Sequence, residues 1–113
     1  MTVSYKLWGK DIRVKILTDD DNTVRNALGD IEDKLARIDR NRGKISHKLY
    51  EDMKDYVNEN EDDFSAGLYI SFVSAEIYGD NSVDVIFGVK SSRRYAIDVY
   101  YECVLFPDNS FEI

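Results

Sequence analysis

The chain has 113 residues, 43% hydrophobic and 33% charged, with a formal net charge of −7. That length makes one domain, residues 1–113, with apolar side chains enough for one core, so stability requires neither disulfides nor a structural metal. The acidic balance argues against nucleic-acid binding, which needs a positive field to displace counterions, repels anionic membranes, and favours encounter with basic proteins.

Cys103 is the single cysteine. It excludes an internal disulfide framework and fits a reducing compartment. The N-terminal stretch MTVSYKLWGKDIRVK lacks the continuous apolar run of a signal peptide. No stretch approaches the roughly 20 apolar residues of a membrane span. A cytoplasmic location is the expectation.

Residues 2–17 alternate with period two, as a half-buried hairpin does. Val3, Tyr5 and Leu7 form one apolar set, and Ile12, Val14 and Ile16 the other. Gly9 suits the first central position of a II′ turn. A two-residue loop at Gly9-Lys10 then pairs Leu7 with Ile12, Tyr5 with Val14 and Val3 with Ile16. The opposite face is basic, with Lys6, Arg13 and Lys15.

Asp19, Asp20 and Asp21 are placed to cap a helix. That helix is predicted from about Asn22 to Arg40, with an apolar stripe at Val24, Ala27, Leu28, Ile31, Leu35 and Ile38. Asp30–Lys34 and Asp33–Arg37 are expected i,i+4 pairs. Gly29 costs about 1 kcal/mol against alanine and has a reason only if another backbone packs close. Asn41-Arg42-Gly43 is a stop signal.

A second helix is predicted from about Ile45 to Asn58, with a stripe at Ile45, Leu49, Met53, Tyr56 and Val57. The short connection implies an antiparallel helix pair. Lys44 and Lys48 at its start and Glu59, Glu61, Asp62 and Asp63 past its end oppose its dipole. In an antiparallel pair these charges make two poles. Arg37, Arg40, Arg42, Lys44 and Lys48 are at one end. Asp19, Asp20 and Asp21 join Glu59, Glu61, Asp62 and Asp63 at the other. The acidic pole is either plain solvated surface or a second contact for a basic partner.

From Gly67 onward tyrosine, phenylalanine, valine and isoleucine dominate, and three strands are predicted at Leu68–Tyr78, Val83–Val89 and Tyr95–Phe106. A three-residue loop at Asp80–Ser82 pairs Ile77 with Val85 and Ala75 with Phe87. A three-residue loop at Ser91–Arg93 pairs Val89 with Tyr95, Phe87 with Ile97 and Val85 with Val99. One face is then Val73, Ala75, Ile77, Val83, Val85, Phe87, Val89, Tyr95, Ile97, Val99, Tyr101 and Cys103, and it should carry the helices. A bulge near Phe72–Val73 would turn Leu68, Ile70 and Phe72 inward as well. After a turn at Pro107–Ser110, Phe111 and Ile113 suit one more edge strand. The fold class is α+β in the order ββααβββ: an N-terminal hairpin, two antiparallel helices, then a three- to four-stranded antiparallel meander.

The other face carries Glu76, Tyr78, Asp84, Ile86, Asp98, Tyr100 and Glu102, in rows Glu76–Ile86–Asp98 and Tyr78–Asp84–Tyr100. Tyrosine joins large apolar area to a polar tip, and carboxylates beside it receive arginine or lysine. This face is the candidate partner-binding surface. Alternatively Lys6, Arg13 and Lys15 neutralise Glu76, Asp98 or Glu102 in cross-strand ladders.

No residue pattern carries chemistry. His47 has no second histidine or cysteine at ligand spacing, and Cys103 has core parity. Asp19–Asn22 lacks the glycine and glutamate of a calcium loop. Asp84 and Asp98 would need a desolvated cleft to act as an acid–base pair. Neither a phosphate loop nor a nucleophile elbow is present. No enzyme activity, metal or cofactor is expected.

A hairpin, two helices and a tyrosine-rich meander in a small acidic chain resembles the small bacterial immunity proteins of contact-dependent-inhibition and polymorphic toxin systems. The segment Phe72-Val73-Ser74-Ala75-Glu76-Ile77-Tyr78-Gly79-Asp80, followed by two strands, resembles the C-terminal part of a bacterial α+β domain family found beside such toxins. The resemblance implies a cytoplasmic inhibitor that covers the active site of a basic toxin, often a nuclease, and performs no chemistry itself. It would be a monomer or weak dimer when free. The competing readings are a self-associating structural domain and a small enzyme.

Overall fold

The computed structural model describes residues 1–113. Strands β1 (Thr2–Leu7) and β2 (Lys10–Ile16) form a hairpin, followed by helices α1 (Asp21–Arg40), α2 (Arg42–Met53) and α3 (Glu61–Ala66). Then come β3 (Leu68–Ile77), β4 (Val83–Ser91), β5 (Tyr100–Leu105) and β6 (Phe111–Glu112). All six strands join one sheet in chain order, parallel between β2 and β3 and antiparallel elsewhere. The expected α+β class holds. A third helix is present, and the hairpin joins the later strands in one six-stranded mixed sheet in place of a three- to four-stranded antiparallel meander. No helix is long and apolar enough to cross a membrane.

The first turn is Trp8-Gly9, not Gly9-Lys10. Both residues have positive φ, 52° and 82°, as a I′ turn requires. The register moves by two, to Leu7–Lys10, Tyr5–Ile12 and Val3–Val14. Side-chain parity survives an even shift. A left-handed tryptophan costs on the order of 1–3 kcal/mol. Offsetting contacts are visible: the Trp8 amide donates to Asp39 Oδ1 at 2.7 Å, and its indole donates to the Ile38 carbonyl at 3.1 Å. Trp8 thereby satisfies a carbonyl in the last turn of α1, and Arg42 stacks on its ring at 5.4 Å.

Helix α1 starts where the aspartates indicate. Asp20 is the cap and accepts from the Asn22 and Thr23 amides. The stripe Val24, Ala27, Ile31, Leu35 and Ile38 is buried against the sheet. Lys34 lies on that stripe too, three residues after Ile31 and four before Ile38, and it is only 4% exposed. It does not pair with Asp30. Its ammonium donates to the Phe106 and Pro107 carbonyls and to Asn109 Oδ1, at 2.8–3.2 Å. Burial holds its pKa below the usual lysine value. Asp33–Arg37 forms as expected, at 3.2 Å. No other chain segment packs on Gly29.

The second helix stops at Met53, and Tyr56 is exposed. One residue, Asn41, separates it from α1, and α2 packs more on α3 than back along α1. Glu61, Asp62 and Asp63 make the first turn of α3, with Asn60 as cap accepting from the Asp63 amide at 2.9 Å. These acids sit favourably on a helix N-terminus instead of opposing the dipole of α2. The pattern Asn60-x-x-Asp63 before Phe64 is a helix-start signal of the capping-box type, passed over in the sequence reading.

Two hairpins close with one turn used twice. Gly79-Asp80-Asn81-Ser82 joins β3 to β4, and Pro107-Asp108-Asn109-Ser110 joins β5 to β6. In each the aspartate accepts from the serine amide and hydroxyl, and the asparagine has φ near 66–69°. Each is a three-residue loop ending in a left-handed residue. The first loop is Gly79–Asn81, one residue earlier than expected, since the Tyr78 amide bonds the Ser82 carbonyl at 2.8 Å. Ile77 then pairs with Val83, and Ala75 with Val85.

The largest departure is between β4 and β5. Residues 92–99 form an irregular connection, and β5 begins at Tyr100. Val89 pairs with Tyr101, Phe87 with Cys103 and Val85 with Leu105, six residues beyond the expected register. Val99 and Cys103 are buried as expected, and Tyr95 leaves the strand yet still packs on the core against Phe64, with ring centres 6.1 Å apart, whereas Ile97 is exposed. The bulge in β3 is at Ser71. It turns Leu68 and Ile70 inward but leaves Phe72 outward. The core comprises 25 buried apolar residues between the helices and one face of the sheet.

Candidate functional site

All three helices lie on one side of the sheet. The other side is uncovered, and pairing fixes what it displays. One row runs Thr2, Lys15, Ser74, Ile86, Val104, Glu112 across all six strands. The next contains Phe72, Gly88 and Glu102, and Glu76 faces Asp84. Lys90 faces Tyr100, with its ammonium 5.5 Å from the ring centre. Phe72, Ile86 and Val104 are half-buried, so the face has an apolar strip with charge around it.

The expected rows Glu76–Ile86–Asp98 and Tyr78–Asp84–Tyr100 are not formed, because β5 pairs six residues further along. Glu76, Ile86, Tyr100 and Glu102 remain on the open face. Tyr78 stands at the Asn81 turn, 41% exposed. Its hydroxyl donates to Asp84 Oδ2 at 2.5 Å, and that bond pushes the phenol up to about 12. Asp84 is only 7% exposed, and its second oxygen, Oδ1, has no hydrogen-bond partner. Asp98 lies in the 92–99 segment and lines one groove with Lys90 and Ser91. Six or seven residues of strand, roughly 20 Å, separate that point from Asp84. The two carboxylates therefore do not form an acid–base pair.

The question of cross-strand ladders also resolves. None of the six ion pairs involves Lys6, Arg13 or Lys15, nor Glu76, Asp98 or Glu102. The hairpin joins the sheet, but Lys15 faces Ser74 and Arg13 faces Ser4. The open face mixes signs on both halves: Lys6 faces Asp11 on the hairpin, which also carries Arg13 and Lys15, while the later strands carry Glu76, Glu102 and Lys90.

The second acidic region is not one pole. Asp19, Asp20 and Asp21 open α1, a helix of about 30 Å. Glu61 meets His47 at 2.8 Å and Ser65 meets Ser46 at 2.6 Å, which places Glu59, Glu61, Asp62 and Asp63 beside the first half of α2. α2 starts one residue after α1 ends, so the two acidic runs lie near opposite ends of α1. Glu59 is occupied. It takes Arg93 Nη1 at 2.9 Å and the Tyr95 hydroxyl at 2.7 Å.

His47, Glu51 and Glu61 bring three possible metal donors within 4.8 Å of one another, on exposed surface. Glu61 already meets His47, and Glu51 already accepts from Lys54 at 3.0 Å. Glu61 was invisible in sequence as a neighbour of His47, because α3 brings it there. Cys103 is fully buried, and burial pushes its thiol up to about 11, which suits a packing residue and not a nucleophile.

One feature of the open side escaped sequence reasoning. The 92–99 segment, together with residues of β3, β4 and β5, walls a groove of about 940 Å³. Its lining includes Phe72, Lys90, Arg94, Tyr95, Ile97 and Tyr100. Phe72 lies across Gly88, where a Cβ would collide with its ring. The available signal was three cations in Lys90-Ser-Ser-Arg93-Arg94, within a strongly acidic chain. Comparison with known protein families, with curated proteins and with solved structures finds no match.

Proposed function

We propose that this chain is a non-catalytic binding protein that neutralises a basic protein partner, as cytoplasmic immunity proteins neutralise their cognate toxins, and that it does so through the uncovered sheet face. One observation carries this reading: Glu76 and Glu102 stand without an ion-pair partner beside a half-buried apolar strip of Phe72, Ile86 and Val104. An apolar centre with a charged rim is the anatomy of a protein interface. Carboxylates there steer a basic partner and fix its register. Asp84 is the inner member of the acidic group, held by Tyr78 behind Glu76. The chain performs no chemistry in this reading, and the toxin supplies the activity being blocked.

The test is co-expression with the product of the gene immediately upstream. The wild-type chain should restore growth when that product is toxic. Combined Glu76→Lys and Glu102→Lys, with an unchanged circular dichroism spectrum, should abolish rescue and slow association. Rescue undiminished by the double reversal would remove the open face from the interface. A second reading has one observation in its favour: the outer edge of β1 is unpaired in the sheet, which is a template for pairing with a twin. A monomer by light scattering at high concentration excludes that version.

A further inference from the structure

We infer that the groove beneath residues 92–99 is a second binding site, for a carboxylate-bearing, aromatic peptide segment of a protein partner. This goes beyond the proposed function, which assigns the acidic part of the face to a partner's cations.

The groove is a built feature. Its floor exists because the Ser71 bulge throws Phe72 outward and because Gly88 leaves room for the ring. Its wall is pinned at both ends. The Ser92 amide and hydroxyl donate to the Gly67 carbonyl at 2.8 and 3.1 Å. Glu59 grips Arg93 and Tyr95, and Val99 is buried. Between these anchors Arg94, Ile97 and Asp98 stand exposed. Ile97 is 39% and Tyr100 45% exposed, so the rim is apolar and aromatic as well as charged.

The charges choose the occupant. Glu59 neutralises Arg93. Arg94 has neither an ion pair nor a hydrogen bond, and Lys90 has only the face of Tyr100. Two unpaired cations against one carboxylate, Asp98, make a local positive site on a chain of net charge −7. An aspartate or glutamate of the partner meets Arg94 and Lys90 in charge-assisted bonds. A neighbouring aromatic side chain covers Phe72, Ile97 and Tyr100. Nucleic acid carries a charge at every phosphate and would be repelled along its length by the rest of the chain, whereas one or two carboxylates of a peptide engage only the local cations.

The experiment is a titration of the full-length, isotopically labelled protein followed by amide NMR. The probes are the blocked peptide acetyl-Asp-Phe-Asp-Leu-amide, its neutral Asn-Phe-Asn-Leu analogue, and inorganic phosphate. The acidic peptide should shift amides of Phe72, Lys90 and residues 94–100. Lys90→Glu with Arg94→Glu should weaken it by about tenfold or more, and the neutral analogue should bind equally weakly. Glu76→Lys with Glu102→Lys should leave the peptide bound, which separates this site from the proposed interface. Four outcomes overturn the inference: no shifts at millimolar peptide, shifts that survive the Lys90/Arg94 reversal, equal binding of the neutral peptide, or phosphate alone binding as tightly.

Discussion

The two faces of one sheet obey different rules. The inner face is closed by helices and is apolar throughout: Val14, Ile16, Val73, Ala75, Val85, Phe87, Cys103 and Leu105 are all at most 2% exposed. The outer face alternates with it residue by residue, yet it mixes Lys15, Ser74, Ile86 and Val104 in a single row. Burial selects for the inner set, and strand periodicity alone delivers it. Nothing in periodicity says which outer residues meet, because that depends on how far each strand slides along its neighbour. The inner face is therefore tolerant of even register shifts, and the outer face is rewritten by them.

The largest effect expected from this contrast comes from two phenylalanines. Phe87 is fully buried and packs edge-on with Phe111, with ring centres 6.4 Å apart. Phe87→Ala should cost about 3–5 kcal/mol, read as a shift in urea midpoint. Phe72→Ala on the open face should cost about 1 kcal/mol. Equal losses would mean that the open face is structural, which removes the basis for a binding surface there.

Next is the one charge admitted to the helix side. Lys34→Met would leave the Phe106 and Pro107 carbonyls and Asn109 without their donor. A loss of about 1–3 kcal/mol is expected, with faster hydrogen exchange in β6. A variant as stable as wild type would show that the lysine is replaceable packing.

Gly29→Ala acts on the outer surface of α1, where nothing packs. It should add about 1 kcal/mol. A loss would reveal a partner for that helix surface.

The smallest effect is a pH dependence that belongs to the open side and its rim. Tyr95 is pushed up to about 12, chiefly by burial and then by its bond to Glu59, and Tyr78 also to about 12 by its bond to Asp84. Their ordinary value is 10.0. The unfolded chain therefore releases these protons first. The stability they contribute is intact below pH 10 and is lost as the pH rises to about 12. Burial also raises the Tyr101 phenol, so absorbance titration should find three late-ionising phenols, and Tyr95→Phe should remove one and narrow the alkaline loss. Ordinary ionisation of Tyr78 and Tyr95 would mean that the hydroxyl bonds do not persist in solution.

By itself the sequence determined the α+β class, the hairpin, the α1 stripe and the aspartate run that caps it, the inward parity of β3 and β4, and the burial of Cys103. All of these follow from periodicities and caps that act over a few residues. It also held two signals that were passed over. Lys34 falls on the α1 stripe by spacing, and Asn60-x-x-Asp63 announces α3. Tertiary structure decided the rest. The Tyr95–Phe106 segment has strand propensity from end to end, but Glu59, Gly67 and the buried Val99 hold its first part away from β4. That choice is made by residues more than thirty positions distant in the case of Glu59. It moves the register by six, separates Asp98 from Asp84, and opens the groove over Gly88. Local pattern fixes which side of a strand is buried. Long-range contacts fix where the strand stops, and the composition of the open face follows from that.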